Sequence, residues 1–206
     1  MNAEQLQKTL RASQYAEQVL SLHTPLLEQD FAIDQFQKSL TTSQIHSLVQ
    51  DSLFDIQNEN QWMSTLRILR ARLMFRWIWQ DANQLTDVVT LTRELSDFAD
   101  ASINAAKDFA RIPLLVKHGE PVGYGGKVQD LIVVAMGKLG AQELNLSSDI
   151  DLIFAFDEQG ETNGRKCVDV QQFCIAWGQK IIYLLEHITA DGFVFRVDMR
   201  LRPWGD

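Results

Sequence analysis

The spacing of apolar residues divides the chain into a helical first part and a second part in which strands and helices alternate. From Met1 to about Lys117, apolar residues recur every three or four positions, as in QLQKTLRASQYAEQVLSL and TTSQIHSLVQDSLFDI. Side chains at that spacing share one face of a helix, so these stretches predict amphipathic helices. The Ser and Thr residues that open the second stretch are typical helix N-caps.

The second part follows HGEPVGYGGKVQD, residues 118–130, which has the Gly, Pro and polar content of a linker or hairpin tip. The β-branched run LIVVAMG then predicts a central strand, and a Gly-rich turn follows it. After the turn come the strand SSDIDLIF, the helix VDVQQFCIAWGQKIIYLLEHI and the strand GFVFRVDMRL. We therefore predict an α+β fold, with a helical bundle in residues 1–125 and an α/β module with a small mixed sheet in residues 126–206.

Composition and charge argue against several classes of function. The net charge of −8 argues against a nucleic-acid partner, because phosphate binding usually requires a basic excess. We therefore interpret the arginines in WMSTLRILRARLMFRWIWQD as residues whose stems cover apolar surface. No apolar run approaches the roughly 20 residues of a membrane-spanning helix. The polar start MNAEQLQK lacks the apolar core of a signal peptide, so we expect a cytoplasmic protein with no membrane partner. The spacing of Cys167 and Cys174 fits neither a redox nor a zinc motif, and we interpret both as packing residues.

Three aspartates in predicted strands indicate metal chemistry. Asp149 and Asp151 lie two residues apart, so their side chains share a strand face, while Ile150 and Leu152 point into the core. Two carboxylates about 4 Å apart repel by roughly 4 kcal/mol at an effective dielectric of 20, and a divalent cation relieves that repulsion. Asp198 supplies a third carboxylate if its strand is adjacent. Three oxygen ligands suit Mg²⁺, which completes its shell with water and substrate phosphates.

Two arginines near the end of the chain extend this hypothesis to phosphate transfer. Arg200 and Arg202 share the face of Asp198 by the period of two, and guanidinium groups neutralise phosphate charge that a metal does not reach.

A purely structural interpretation of the same residues stays open at this point. Asp149 fits a turn, Asp151 fits an edge strand that a charge keeps from aggregating, and Asp198 fits an ion pair with Arg196 or Arg200. The Gly-rich turn before the acids and the alternating arginines after them favour the chemical interpretation.

Two longer stretches, AMGKLGAQELNLSSDIDLIFAF and DGFVFRVDMRLRPWGD, carry a resemblance to a known family. They resemble the polymerase-beta-like nucleotidyltransferase superfamily and, within it, the glutamine synthetase adenylyltransferase/adenylyl-removing enzyme family. The match runs from Leu131 to the end, and RILRARLMFRWIWQD with RELSDFADASI is similar to the helical region that precedes it in the family. That family has two nucleotidyltransferase halves, and ELN, SSDID and VDMRLRP resemble the N-terminal, adenylyl-removing half. The family's chains are far longer, so the resemblance implies a fragment with an incomplete catalytic module.

The resemblance also implies roles for individual residues. Asp149 and Asp151 match the family's metal-binding acid pair and Asp198 the third acid, with Mg²⁺ or Mn²⁺ as the cofactor. Gly137 and Lys138 stand where the superfamily contacts phosphate through a Gly-Ser pair. Ser148 matches either a phosphate contact or a turn cap.

The implied reaction is the removal of AMP from a tyrosine of adenylylated glutamine synthetase by phosphorolysis, in which phosphate enters and ADP leaves. The implied partners are glutamine synthetase, adenine nucleotide, phosphate and, through parts of the parent enzyme outside this chain, the nitrogen-signalling PII protein. The parent's other half adenylylates with ATP. Two alternatives remain: the adenylylating half of the same family, or a docking fragment without catalysis.

Overall fold

The computed structural model of the chain describes residues 2–32 and 36–199. The predicted α+β class is confirmed, since helices form most of the first part and short strands appear after it. The helices are α1 (Ala3–Ala12), α2 (Gln14–Ala32), α3 (Thr42–Leu53), α4 (Glu59–Ala82), α5 (Val88–His118), α6 (Gly137–Gly140) and α7 (Val170–Glu186). The strands are β1 (Pro121–Gly123), β2 (Ile132–Met136), β3 (Ile150–Ala155), β4 (Gly160–Thr162) and β5 (Val197–Asp198).

Polar side chains cap several of these helices, and the cap of α3 lies in the stretch where the sequence indicates one. Thr41 caps α3 by accepting a hydrogen bond from the Gln44 backbone N–H, and the Gln44 side chain accepts one from the Thr41 N–H at 2.9 Å. Asn58 caps α4 and Asp169 caps α7 in the simpler one-way form. Each cap satisfies backbone donors that the first helical turn leaves without partners.

The chain divides into two compact units. The first unit comprises Met1–Phe98 with Gln142–Ser147, and the second comprises Ala99–Ala141 with Ser148–Asp206. Helix α5 contributes to both. The segment at residues 118–130 lies within the second unit, where Val122 and Val128 form an antiparallel bridge typical of a hairpin. The domain boundary drawn from composition at residues 125 and 126 stays a prediction.

In the first unit, the arginines of α4 contact groups inside the protein. Arg76 is 3% exposed and donates from Nη1 to Glu94 Oε2 at 2.6 Å. Arg72 donates from Nε to Asp30 Oδ2 at 2.8 Å. Arg67, 1% exposed, donates from Nη1 to a backbone carbonyl of its own helix. These arginines are therefore internal hydrogen-bonding groups, in addition to any apolar surface that their stems cover.

The second unit contains the small mixed sheet that the sequence predicts. Its strand order is β2-β3-β5, with β2 antiparallel and β5 parallel to β3. The run LIVVAMG is not the central strand, so that prediction is wrong: β2 is the outer strand of the three, and Ile132, Val134 and Met136 are 41 to 43% exposed. The opposite face is covered, because the ring of Phe154 lies against Gly178 of α7. A continuous apolar run does not show that one face of the strand is exposed to solvent.

The two cysteines occupy different environments. Cys174 is 5% exposed, which confirms its packing role, and burial raises the pKa of its thiol to about 11. Cys167 is exposed, with Sγ 3.0 Å from the carbonyl oxygen of Thr162, so its assignment as a packing residue is wrong. Its exposure follows from its place in the segment between β4 and α7.

Across residues 2–32 and 36–199, none of the helices combines the length and the apolar character needed to cross a membrane.

Candidate active site

Strand β3 has one face in the core and one face that carries an acid. Ile150 and Leu152 are 0% and 2% exposed, which confirms that they point inward. Because side chains alternate along a strand, Asp151 lies on the opposite face and is half-buried. Strand β3 begins at Ile150, so Asp149 immediately precedes it, and the Asp149 side chain is 47% exposed.

Strand β5 brings Asp198 beside this acid pair. Strands β3 and β5 are adjacent and parallel, and Asp151 is the register partner of Asp198. Register partners in a sheet project to the same side, so the two carboxylates share a face. The sequence predicts Asp198 as a third carboxylate only if its strand is adjacent to β3, and the two strands are adjacent.

Gly137 lets the backbone approach the Asp151 carboxylate closely. It follows β2, whose last residue Met136 is the register partner of Asp151, and it begins α6 with φ of +54°. A Cβ placed on Gly137 would lie 2.3 Å from Asp151 Oδ2, well inside van der Waals contact. A residue without a side chain is therefore required by both the backbone angle and the space.

Lys138 and Ser148 lie next in sequence to Gly137 and Asp149, at the end of the second unit that carries the acids. The exposed Lys138 side chain places Nζ 3.5 Å from Ser148 Oγ, at the long limit of a hydrogen bond. The structure thus brings two of the predicted phosphate contacts into reach of each other. Arg200 and Arg202, predicted to complete the phosphate site, lie outside the described residues.

Arg196 is a site residue with a contact that the sequence argument did not offer. Its Nε donates to Asp149 Oδ1 at 2.5 Å, and the ion pair with Asp198 that the sequence suggested stays a prediction. The two side chains are 58% and 47% exposed. The signal for this residue was present in the sequence, because Arg196 precedes Asp198 by two positions and so shares its face.

The three aspartates fit a divalent cation in chemistry and in backbone placement. Carboxylate oxygens are the ligands that Mg²⁺ prefers, and the register puts Asp151 and Asp198 side by side, with Asp149 two residues before Asp151. Within the part of the chain that the structure describes, no three His, Cys, Asp or Glu side chains form a metal-binding group as they stand. The Asp149 carboxylate accepts a hydrogen bond from the Arg196 guanidinium at Oδ1.

Gly137→Ala is expected to weaken Mn²⁺ binding by the chain. The new Cβ displaces the Asp151 carboxylate, and the left-handed backbone adds strain of about 1 to 2 kcal/mol. Gly126→Ala is the matched control, because Gly126 has φ of +80° with nothing within 4 Å of a Cβ. Electron paramagnetic resonance of free Mn²⁺ gives both affinities. Equal Mn²⁺ affinities for the two variants would contradict the proposed contact between residue 137 and a metal ligand.

Comparison with known proteins places this chain in a family. The family model described as "Glutamate-ammonia ligase adenylyltransferase" matches residues 3–206. A curated relative from Acinetobacter baylyi is 77% identical over 206 residues, covering 100% of this chain and 22% of the relative. Relatives from Hahella chejuensis and Pseudomonas syringae pv. tomato are 45% and 41% identical, covering 83% and 94% of this chain and 18% and 20% of their own lengths. All three are named bifunctional glutamine synthetase adenylyltransferase/adenylyl-removing enzyme. The chain thus spans about a fifth of the length of these relatives.

Proposed function

Because this chain belongs to the glutamate-ammonia ligase adenylyltransferase family, we propose that it carries the site that removes AMP from a tyrosine of adenylylated glutamine synthetase by phosphorolysis. The observation that supports the proposal best is the pairing of Asp151 with Asp198 on adjacent strands, with Asp149 beside them. The names of the relatives join an adenylyltransferase with an adenylyl-removing activity. Assigning the removing activity to this chain is our proposal.

The three aspartates would hold Mg²⁺ or Mn²⁺. When bound, such an ion neutralises developing charge on the phosphoryl group and helps to align the attacking and leaving oxygens. The carboxylates of Asp149, Asp151 and Asp198 set where that charge is placed, and Gly137 lets the Asp151 carboxylate lie against the backbone. The Lys138 ammonium provides positive charge for a phosphate group at the same end of the unit.

The reaction requires no nucleophile from the protein. An oxygen of inorganic phosphate attacks the phosphorus of the adenylyl group, and the bond from that phosphorus to the tyrosyl oxygen breaks. The products are ADP and the tyrosine, whose oxygen takes a proton. The role of the chain is therefore to position and neutralise phosphate groups.

Phosphate dependence tests the proposed direction of transfer. In a chimera, this chain replaces the matching segment of the Acinetobacter baylyi relative, and the substrate is glutamine synthetase carrying labelled AMP. We expect labelled ADP to form when phosphate is added and the label to stay on glutamine synthetase when phosphate is left out. Release of labelled AMP without phosphate would indicate hydrolysis and would contradict the proposal. The requirement for Mg²⁺ or Mn²⁺, the regulation by PII and the cytoplasmic location stay predictions.

A further inference from the structure

The ion pair between Arg196 and Asp149 occupies the face of the sheet that carries the acids. Arg196 precedes Asp198 by two residues, and Asp198 is the register partner of Asp151. The guanidinium is therefore on the side of the strands that carries carboxylates, which repel one another. The positive charge of Arg196 offsets part of this repulsion. It lies beside Asp149, where Arg196 Nε and Asp149 Oδ1 are 2.5 Å apart.

This ion pair is exposed enough to be exchanged. The side chains of Arg196 and Asp149 are 58% and 47% exposed, so water screens their attraction. Exposed pairs of this kind contribute little to stability. A divalent cation attracts several carboxylates at once. Its attraction for the Asp149 carboxylate therefore exceeds the screened attraction of the guanidinium.

The backbone under the ion pair is held separately from the side chains. The Ile150 N–H donates to the Arg196 carbonyl oxygen at 3.0 Å, and Ile150 is the register partner of Val197. Ile150 itself is fully buried. We therefore expect the pairing of β3 with β5 to persist when the Arg196 side chain leaves Asp149.

We propose that Arg196 is a positioning residue that neutralises Asp149 while no divalent cation is bound and competes with the cation for that carboxylate. This inference rests on the proposed function, because it takes the three aspartates as the cation site. Arg196 and the cation oppose each other at Asp149, because both place positive charge beside the same carboxylate. Binding of the cation releases the guanidinium on the face that the acids share.

Mn²⁺ binding by the 206-residue chain tests the exchange without any assay of catalysis. Arg196→Gln is expected to bind Mn²⁺ about fivefold more tightly than the unaltered chain at low ionic strength. That figure corresponds to the upper end for an exposed pair, because the substitution also removes a positive charge from beside the incoming cation. Arg196→Lys keeps the charge and should stay within about twofold of the unaltered chain.

Two further variants separate the alternatives. Arg165→Gln removes an equal charge from the exposed segment between β4 and α7, and its Mn²⁺ affinity should change less than about twofold. Asp149→Asn shows whether the measured Mn²⁺ uses this carboxylate. Thermal melting by circular dichroism checks that each variant is folded.

The Mn²⁺ affinities of these variants distinguish the exchange from the metal site itself. Tighter Mn²⁺ binding in Arg196→Gln, with Arg165→Gln unchanged, supports the exchange. Unchanged or weaker binding in Arg196→Gln overturns it, and if Asp149→Asn still loses Mn²⁺ then the proposed metal site stands without it. Mn²⁺ binding that is indifferent to Asp149→Asn overturns both the exchange and the metal site.

Discussion

Asp151→Asn is expected to lower the phosphate-dependent release of ADP from adenylylated glutamine synthetase at least about a hundredfold when it is introduced into the chimera with the Acinetobacter baylyi relative. Substitutions that only touch the partners of metal ligands reduce activity by about 10 to 100-fold, so loss of a ligand charge is expected to do at least as much. Asp151 is central to the proposed site, because it is the register partner of Asp198 and lies against Gly137.

The control for this variant is Asp157→Asn. Asp157 is exposed and lies between β3 and β4, so the same chemical change is made away from the paired strands. Its rate of ADP release should match that of the unaltered chimera. If Asp151→Asn retained the full rate, the adenylyl-removing activity would reside in another part of the chimera.

Glu94→Ala is expected to lower the free energy of unfolding by about 3 to 5 kcal/mol, the range for breaking a buried ion pair. Glu94 and Arg76 each have 3% of the side chain exposed, with 2.6 Å between Oε2 and Nη1. Glu94 also accepts hydrogen bonds from Trp77 Nε1 and from the backbone N–H of Leu40, both at 2.8 Å. The substitution leaves a buried guanidinium without its countercharge and two donors without their acceptor.

Urea unfolding followed by tryptophan fluorescence measures this loss. The control is Glu4→Gln in α1, where Lys8 Nζ and Glu4 Oε1 are 4.0 Å apart and the side chains are 59% and 80% exposed. That surface pair should contribute no more than about 0.5 kcal/mol. A loss below about 1 kcal/mol in Glu94→Ala would show that the buried network is not a main support of the first unit.

Local periodicity was sufficient to predict much of the fold and the placement of two acids. The apolar spacing identified the long helices, and Thr41 caps α3, in the stretch where the sequence indicates Ser or Thr caps. The alternation of Asp151 with Ile150 and Leu152 fixed which side of β3 faces the core. These features depend on neighbours within a few residues, so a single sequence contains them.

Features that depend on distant segments could not be predicted in the same way. The sequence led us to interpret the stems of Arg72 and Arg76 as cover for apolar surface, but their carboxylate partners Asp30 and Glu94 lie 42 and 18 residues away in sequence. The choice of Asp149 as the partner of Arg196 likewise depends on how β5 aligns with β3. Sequence spacing shows that an arginine shares a strand face, but it does not show which carboxylates on that face it contacts.

The most direct test of the account is a Mn²⁺ titration of the unaltered chain beside its Asp198→Asn variant. The central claim is that carboxylates from two adjacent strands hold one divalent cation, and Asp198 is the contribution of β5. We predict that the unaltered chain binds Mn²⁺ and that Asp198→Asn binds it at least about tenfold more weakly. Equal affinities in the two proteins would contradict the claim.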